Sequence, residues 1–535
     1  MTDTIGTHFR ARAETFSCHA FLSVPADQDR HYYPDGYDIT YGEAAVLVSR
    51  WAKQLQKAGY GHGHRIAVLL ANRPEMLLLK LALNSIGVSW VPVNPDYRPA
   101  EVAYLLQDSG ATLALTAPDL RDLLVQGVRE SGLDIPVVDM DADLPAVPPA
   151  QQSAPLTRRI DADSEASLIY TSGTTGRPKG CILSHDYELM MGQWYATRGG
   201  LIDFQTGQDR LYCPLPLFHV NAAILVLFCM IETGNCQIIP ERFRASAWWR
   251  ELSETKATVA HYLGIVIPAL MNRAPEDWDT RHTLRFAVGA GVEPTLHRPF
   301  EERFGVPLIE VWGMSEMCRI LGDYAEPRQI DTRAMGRPSV GLEAKVVDDT
   351  DKEVPRGTPG ELVIRHSAET PRKGAFSGYL NLPEVTEESW KGGWFHTGDT
   401  VTMDDTGMIF FVDRKKNIIR RSGENIAAAE IEACLQDHDL VTRVAVVAVP
   451  DEMRDEEVMA CVMVTQSPDA AMAQTLFDYS FERLAYYKAP GWIQFVTDIP
   501  VTGTQKIQKH SLFDADEDPT QRPDTYDMRK LKKRG

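Results

Sequence analysis

Residues 65–93 constrain the fold more than any other stretch of this chain. RIAVLL (65–70) is an unbroken apolar run of strand length. RPEMLLLKLALNSI (73–86) carries apolar residues at helical spacing and has proline near its start. Gly87 closes that helix, and VSWVPV (88–93) is the next buried strand. A strand, a helix and a strand in succession form a βαβ unit, and such units build parallel sheets covered by helices. The pattern repeats, since PAEVAYLLQDSG reads as a helix and ATLALTA as a strand. Residues 134–160, rich in Pro, Asp and Ala, read as a surface connection.

A chain of 535 residues exceeds one simple core, so two or more domains are expected. The texture changes near residue 413. Before it, short strands and turns alternate, as in GELVIRH and GMIFFVDR. After it come a helix (AAAEIEACLQDHD), two strands (TRVAVVAV, EEVMACVMV) and a helix through LFDYSFERLAYY. The fold class is therefore α/β: a large N-terminal domain of helix-covered sheets with a smaller β subdomain, then a small α+β domain. The charged tail from Phe513 reads as a frayed, solvated end.

Hydrophobic residues make up 44% of the chain, which excludes wholesale disorder. The net charge of −19 argues against a nucleic-acid partner, which needs a basic footprint. An anionic ligand would instead need a local nest of N–H groups, a lysine or a metal ion. None of the eight cysteines pairs at C-x-x-C spacing, so neither structural zinc nor a disulfide framework is indicated. The N-terminus lacks a secretory apolar core, and the longest apolar run, Ala222 to Ile231, is about half a bilayer span. A cytoplasmic protein without a membrane span is expected; a homo-oligomer is left open.

The strongest local signal is LIYTSGTTGRPKG (168–180), an apolar strand running into Gly, Ser and Thr and closed by Pro178 and Lys179. Glycines let a backbone approach a ligand closely, and successive N–H groups and hydroxyls can surround phosphate oxygens. Its spacing is not that of a Walker loop. This segment resembles the signature of the adenylate-forming enzymes, which include acyl-CoA synthetases, carrier-protein adenylation domains and firefly-type luciferases. The resemblance continues in the family's order through PLFHVNA (216–222), VGAGVEP (288–294), WGMSE (312–316), GWFHTGD (393–399), DRKKNIIRRSGENI (413–426), LAYYKAP (484–490) and PVTGTQKIQK (500–509). The overall texture is similar to the carnitine/crotonobetaine and cyclohexanecarboxylate CoA ligase branch.

The chemistry explains these residue types. A carboxylate is a poor electrophile, and attack on the α-phosphate of ATP turns it into a mixed anhydride with AMP as leaving group. Both reactants are anions, so the site must bring them together and neutralise charge. The resemblance implies that Thr171, Ser172, Gly173, Thr174, Thr175 and Lys179 hold the β- and γ-phosphates. It places Glu316 on Mg²⁺ with help from Thr171, hard oxygen ligands that suit this ion. Gly289, Ala290 and Gly291 lie beside nucleotide and acyl group, and Trp312, Gly313, Met314 and Ser315 line the nucleotide site. Trp312 stacks on adenine where the family usually has Tyr, and Ser315 touches the α-phosphate. Asp399, assisted by Arg414, accepts hydrogen bonds from the ribose.

Lys506 is the implied adenylation lysine, bridging carboxylate and α-phosphate, although Gln505 stands where the family usually has Gly. His219 is implied as a residue of the acyl pocket. The same resemblance implies that residues 1–413 form the nucleotide and acyl domain, 414–416 a hinge with Lys416 as pivot, and 417–535 a mobile lid. SGENI (422–426) lines the pantetheine tunnel, with Gly423 letting the thin chain pass. Arg420 and Arg421 read as solvated, with CoA phosphates as an alternative. Arg319 reads as structural, with a second substrate carboxylate as the alternative. The function implied is ATP-dependent ligation of an aryl or short-to-medium-chain acid to CoA. Loading of a carrier-protein thiol and a non-catalytic nucleotide- or acyl-binding role are the competing readings.

Overall fold

The computed structural model describes the chain apart from residues 1–3, 172–176, 265, 349, 415–417, 501–508, 510–511, 515–516 and 534–535. Strands Arg65–Leu69 and Ser89–Pro92 lie side by side and parallel, joined by helix Pro74–Ser85. Helix Pro99–Ser109 then leads to Leu113–Thr116, parallel on the other side of Arg65–Leu69. Val137–Asp139 adds an edge strand inside the stretch expected to be a surface connection. Its three residues are only half-buried, so no apolar run marks it. Glu165–Thr171, Lys179–Ser184 and Gly378–Tyr379 complete this seven-stranded sheet on the opposite side.

A second sheet runs Met317–Gly322, Leu308–Met314, Phe286–Ala290, Val259–Leu263, Arg210–Tyr212, Cys236–Ile238, Ala20–Val24 and Tyr37–Thr40. Its inner pairs are parallel and its two edge pairs antiparallel. One continuous core holds side chains from both sheets, among them Ile66 and Trp90 from the first and Leu211 and Val288 from the second. Every residue of Pro74 to Asn84 is buried, the mark of a helix covered on all sides rather than on one stripe. Within it, buried Lys80 donates to Glu188 of helix His185–Ala196 at 2.6 Å and to Ser167 at 2.7 Å. A charge at this depth persists only when paired and hydrogen-bonded.

A five-stranded antiparallel sheet (Ala334–Gly336, Ile409–Arg414, Phe395–Met403, Gly360–Arg365, Glu343–Val347) forms the β subdomain. The C-terminal sheet contains Glu424–Ala427, Ile418–Arg421, Asp455–Val464, Val441–Asp451 and Trp492–Phe495, with a separate apolar core under helices Ala428–Gln436 and Ala470–Arg483. The tail corrects the expectation of a frayed end. Thr525–Asp527 pairs with Trp492–Phe495, and buried Lys532 donates to Glu457 at 2.6 Å and to the Tyr487 carbonyl at 3.2 Å. Lys532 of the tail thus answers a buried carboxylate, which composition alone does not reveal. Among the described residues no helix is long and apolar enough to cross a membrane.

Candidate active site

Strands Glu165–Thr171 and Lys179–Ser184 are antiparallel, with Thr171 directly opposite Lys179. The segment between them carries Ser172, Gly173, Thr174 and Thr175, which lie outside the described residues. Its base is anchored by Tyr104, whose hydroxyl donates to the Pro178 carbonyl at 3.0 Å and whose ring lies under Arg177. The Lys179 ammonium stands 4.1 Å from the ring centre of Tyr379. The Tyr379 hydroxyl donates to Glu316 at 2.7 Å. Tyr379 therefore joins the lysine and carboxylate that sequence reading assigned to phosphates and Mg²⁺. The motifs did not include it, because one aromatic in SGYLN looks like any core filler. Burial, then the nearby Glu316 carboxylate, push the Cys181 thiol well above its ordinary pKa, so it stays neutral beside Thr171.

Ser315 and Glu316 form the tip between strands Leu308–Met314 and Met317–Gly322, and the Ser315 carbonyl accepts from the Tyr187 hydroxyl at 2.9 Å. Trp312 is buried, and its indole N–H donates to Asp399 at 2.8 Å. Asp399 sits opposite Arg414 in the β subdomain, whose strands thereby meet the large sheet at this point. The Arg414 side chain and all of Lys416 and Lys506 are outside the described residues.

Gly289, Ala290 and Gly291 end one central strand and open the loop that follows it. A Cβ on Gly289 would stand 2.4 Å from the Tyr262 ring, so only glycine fits. Glu310 fixes the loop: it accepts from the Gly291 N–H at 2.9 Å, the Val292 N–H at 3.3 Å and the Tyr262 hydroxyl at 2.6 Å. Burial raises its pKa to about 7, against the lowering pull of those donors. Sequence reading missed Glu310, whose role depends on a cross-strand neighbour and not on its own motif.

His219, which sequence reading assigned to the acyl pocket, is 43% exposed, and its Nε2 lies 3.8 Å from a Glu424 carboxylate oxygen. Gly423 has φ of +87°, and a Cβ there would come within 2.4 Å of Leu263. The hairpin of the small domain is thus seated on the mouth formed by His219 and Leu263. Arg421 corrects the solvated reading: it is buried and donates to both Glu457 oxygens, at 2.9 and 2.8 Å. Arg420 lies over the Phe411 ring at 4.1 Å. Arg319 donates to the Lys373 carbonyl at 3.1 Å, the structural role expected of it. Among the described residues no three His, Cys, Asp or Glu side chains cluster as a metal site.

The sequence pattern of the AMP-binding enzyme family matches residues 20–380, and that of the AMP-binding enzyme C-terminal domain matches residues 430–506. The chain is 31% identical over 524 residues to a sulfoacetate–CoA ligase of Cupriavidus necator, covering 94% of this chain and 99% of that one. It is 30% identical over 493 residues to a crotonobetaine/carnitine–CoA ligase of Salmonella paratyphi A, covering 89% and 93%. Among solved structures, a double mutant of the o-succinylbenzoate CoA synthetase of Bacillus subtilis, bound to its product analogue, superposes with a TM-score of 0.79 at 24% identity, over 96% of this chain and 98% of that one. The same synthetase in complex with AMP gives 0.64, at 24% identity over 96% and 99%.

Proposed function

The chain belongs to the AMP-binding enzyme family, and from that premise we propose how its site works and on what. The protein is an AMP-forming acid:CoA ligase. A substrate carboxylate oxygen attacks the α-phosphorus of ATP, pyrophosphate leaves, and acyl-AMP forms. The CoA sulfur then attacks the acyl carbon, the bond to AMP breaks, and the thiol proton is released.

Lys179 neutralises charge on the β- and γ-phosphates, to which the hydroxyls of the 171–175 segment would donate hydrogen bonds, and the Tyr379 ring and hydroxyl hold Lys179 and Glu316 in place. Glu316 offers one carboxylate in no group of three or more metal-ligating side chains among the described residues, which suits an ion that takes few protein ligands and otherwise phosphate oxygens. Mg²⁺, held there with the Thr171 hydroxyl, would supply charge neutralisation on the triphosphate. Trp312 spends its N–H on Asp399, which leaves the indole face for adenine and orients the carboxylate toward the ribose. Lys506 would bridge the two reacting anions as a point charge. The cytoplasm, where ATP and CoA are at hand, is the compartment we assign.

The observation that carries this reading is the seat of Gly423 and Glu424 against Leu263 and His219. A thiol approaching the acyl group along the small domain's hairpin would pass this seat, which supports the reading. The test is a panel of carboxylic acids with ATP, Mg²⁺ and CoA, reading pyrophosphate and thioester in parallel. Thioester with one class of acid is expected. Pyrophosphate without thioester would replace CoA by a carrier-protein thiol, and no pyrophosphate with any acid would overturn the ligase reading.

A further inference from the structure

Beneath the mouth formed by His219 and Leu263 lies a chain of polar groups, two of them fully buried, that no step above uses. Asn221 follows His219 by two residues and opens a π-helix, Asn221–Val226, an uncommon conformation frequently found at functional sites. Its Oδ1 lies 2.8 Å from His261 Nδ1, and His261 Nε2 lies 2.7 Å from the Tyr195 hydroxyl. Tyr195 and His261 are fully buried. His261 is two residues before Leu263 on the same strand, so it faces the same way about 7 Å further along.

The proton positions follow by elimination. The buried Tyr195 hydroxyl has no other acceptor among the described residues, so it donates to His261 Nε2. His261 then carries its proton on Nδ1 and donates it to Asn221 Oδ1. Burial lowers the His261 pKa to about 3, consistent with a neutral ring. The Cys213 thiol, 4.0 Å away, also points at Oδ1. Both approach the oxygen side of the amide. The NH₂ of Asn221 is left with no protein partner among the described residues, on a side chain that is half-buried while its neighbours Ala222 and His261 are sealed.

We propose that Asn221 determines specificity by presenting its amide N–H donors to the acyl pocket, so that the preferred acid carries a hydrogen-bond-accepting oxygen beyond its reacting carboxyl. The proposal rests on the ligase reading and names its substrate class as oxygen-bearing acids rather than plain hydrocarbon acids. The chain of Tyr195, His261 and Asn221 polarises in one direction, which strengthens its last donor.

The test compares matched acids, pentanoate with levulinate and butanoate with succinate, in the wild type and in Asn221→Leu and Asn221→Asp. Asn221→Asp is isosteric and keeps the oxygen that His261 donates to. The ratio of kcat/KM within each pair is read, with thermal unfolding as the control for folding. The wild type is expected to favour the oxygen-bearing member by about tenfold or more. Asn221→Leu is expected to bring both ratios near one, and Asn221→Asp to invert the succinate ratio by charge repulsion. No wild-type preference, or variants that lose both members of a pair equally, would overturn the proposal. Absence of pyrophosphate with every acid removes the ligase reading instead, and this inference with it.

Discussion

Glu310 is a carboxylate held by three donors in a site that resists its charge. Burial raises its pKa to about 7 from an ordinary 4.5. A carboxyl with a raised folded-state pKa is most favourable to the fold below its unfolded value, and that advantage is lost as pH rises through about 7. The ionised form is the one that can accept from Gly291, Val292 and Tyr262 together. Activity should therefore rise through pH 7 while stability declines over the range from 4.5 to 7. Glu310→Gln is expected to remove both trends, checked by kcat/KM profiles and urea midpoints at pH 5 and 8. Profiles that parallel the wild type would exclude Glu310 as their source. At Lys506 the expectation concerns one half-reaction: Lys506→Ala should cut acyl-AMP formation by at least about a hundredfold, a few kcal/mol of transition-state stabilisation. It should leave CoA attack on supplied acyl-AMP largely intact, and equal loss in both half-reactions would refute the assigned role.

Single elements show how far local sequence reaches. The strand–helix–strand of residues 65–93 was legible because its periods are long and its burial complete. The glycine-rich segment announced itself by composition, and its flanks are the opposed ends of a hairpin. Val137–Asp139, the docked tail, Tyr379 and Glu310 were not legible, since each acquires its role from a partner distant in sequence. The hairpin Ile418–Arg421 with Glu424–Ala427 falls between these cases. Its motif pointed to a tunnel, but only the structure shows that Gly423 abuts Leu263. A Cβ at Gly423 meets Leu263 at 2.4 Å and must adopt φ of +87°. Gly423→Ala should therefore lower the thioester half-reaction about tenfold or more, from strain of order 1–3 kcal/mol. Acyl-AMP formation should change little. Quenched-flow measurement of the two half-reactions decides this, and a slowed adenylation with normal thioester formation would place the hairpin elsewhere.

At the scale of the whole molecule, the seat of the small domain depends on a second contact besides that of Gly423. Lys488 is buried and donates to Glu101 of the large domain at 2.6 Å and to Glu430 of the small domain at 2.8 Å. Burial works against its charge, but the two carboxylates outweigh that and hold its pKa well above the ordinary value. Around it, Asn94 donates to the Tyr487 hydroxyl at 2.9 Å, and Arg98 donates to the Leu484 carbonyl at 3.0 Å and lies over Phe481. One short segment of the large domain, 94–101, thus grips 481–488 of the small one. A cleft of about 900 Å³ opens beside this grip and reaches Lys179, so the contact is a narrow clamp rather than a continuous seal. Lys488→Met keeps the packing volume but leaves Glu101 and Glu430 facing each other without a cation. Removing one partner of a buried ionic group costs about 3–5 kcal/mol. Only the pose that contains the clamp bears that loss. If this pose serves CoA attack, its population falls, and thioester formation from supplied acyl-AMP should slow by about a hundredfold. Acyl-AMP formation, measured as pyrophosphate release with CoA omitted, should hold steady or quicken. Glu101→Gln combined with Lys488→Met removes the stranded charge at the domain boundary and should recover part of the rate. Equal slowing of both half-reactions, or no recovery in the double variant, would show that Lys488 supports the fold of the small domain and does not select its pose.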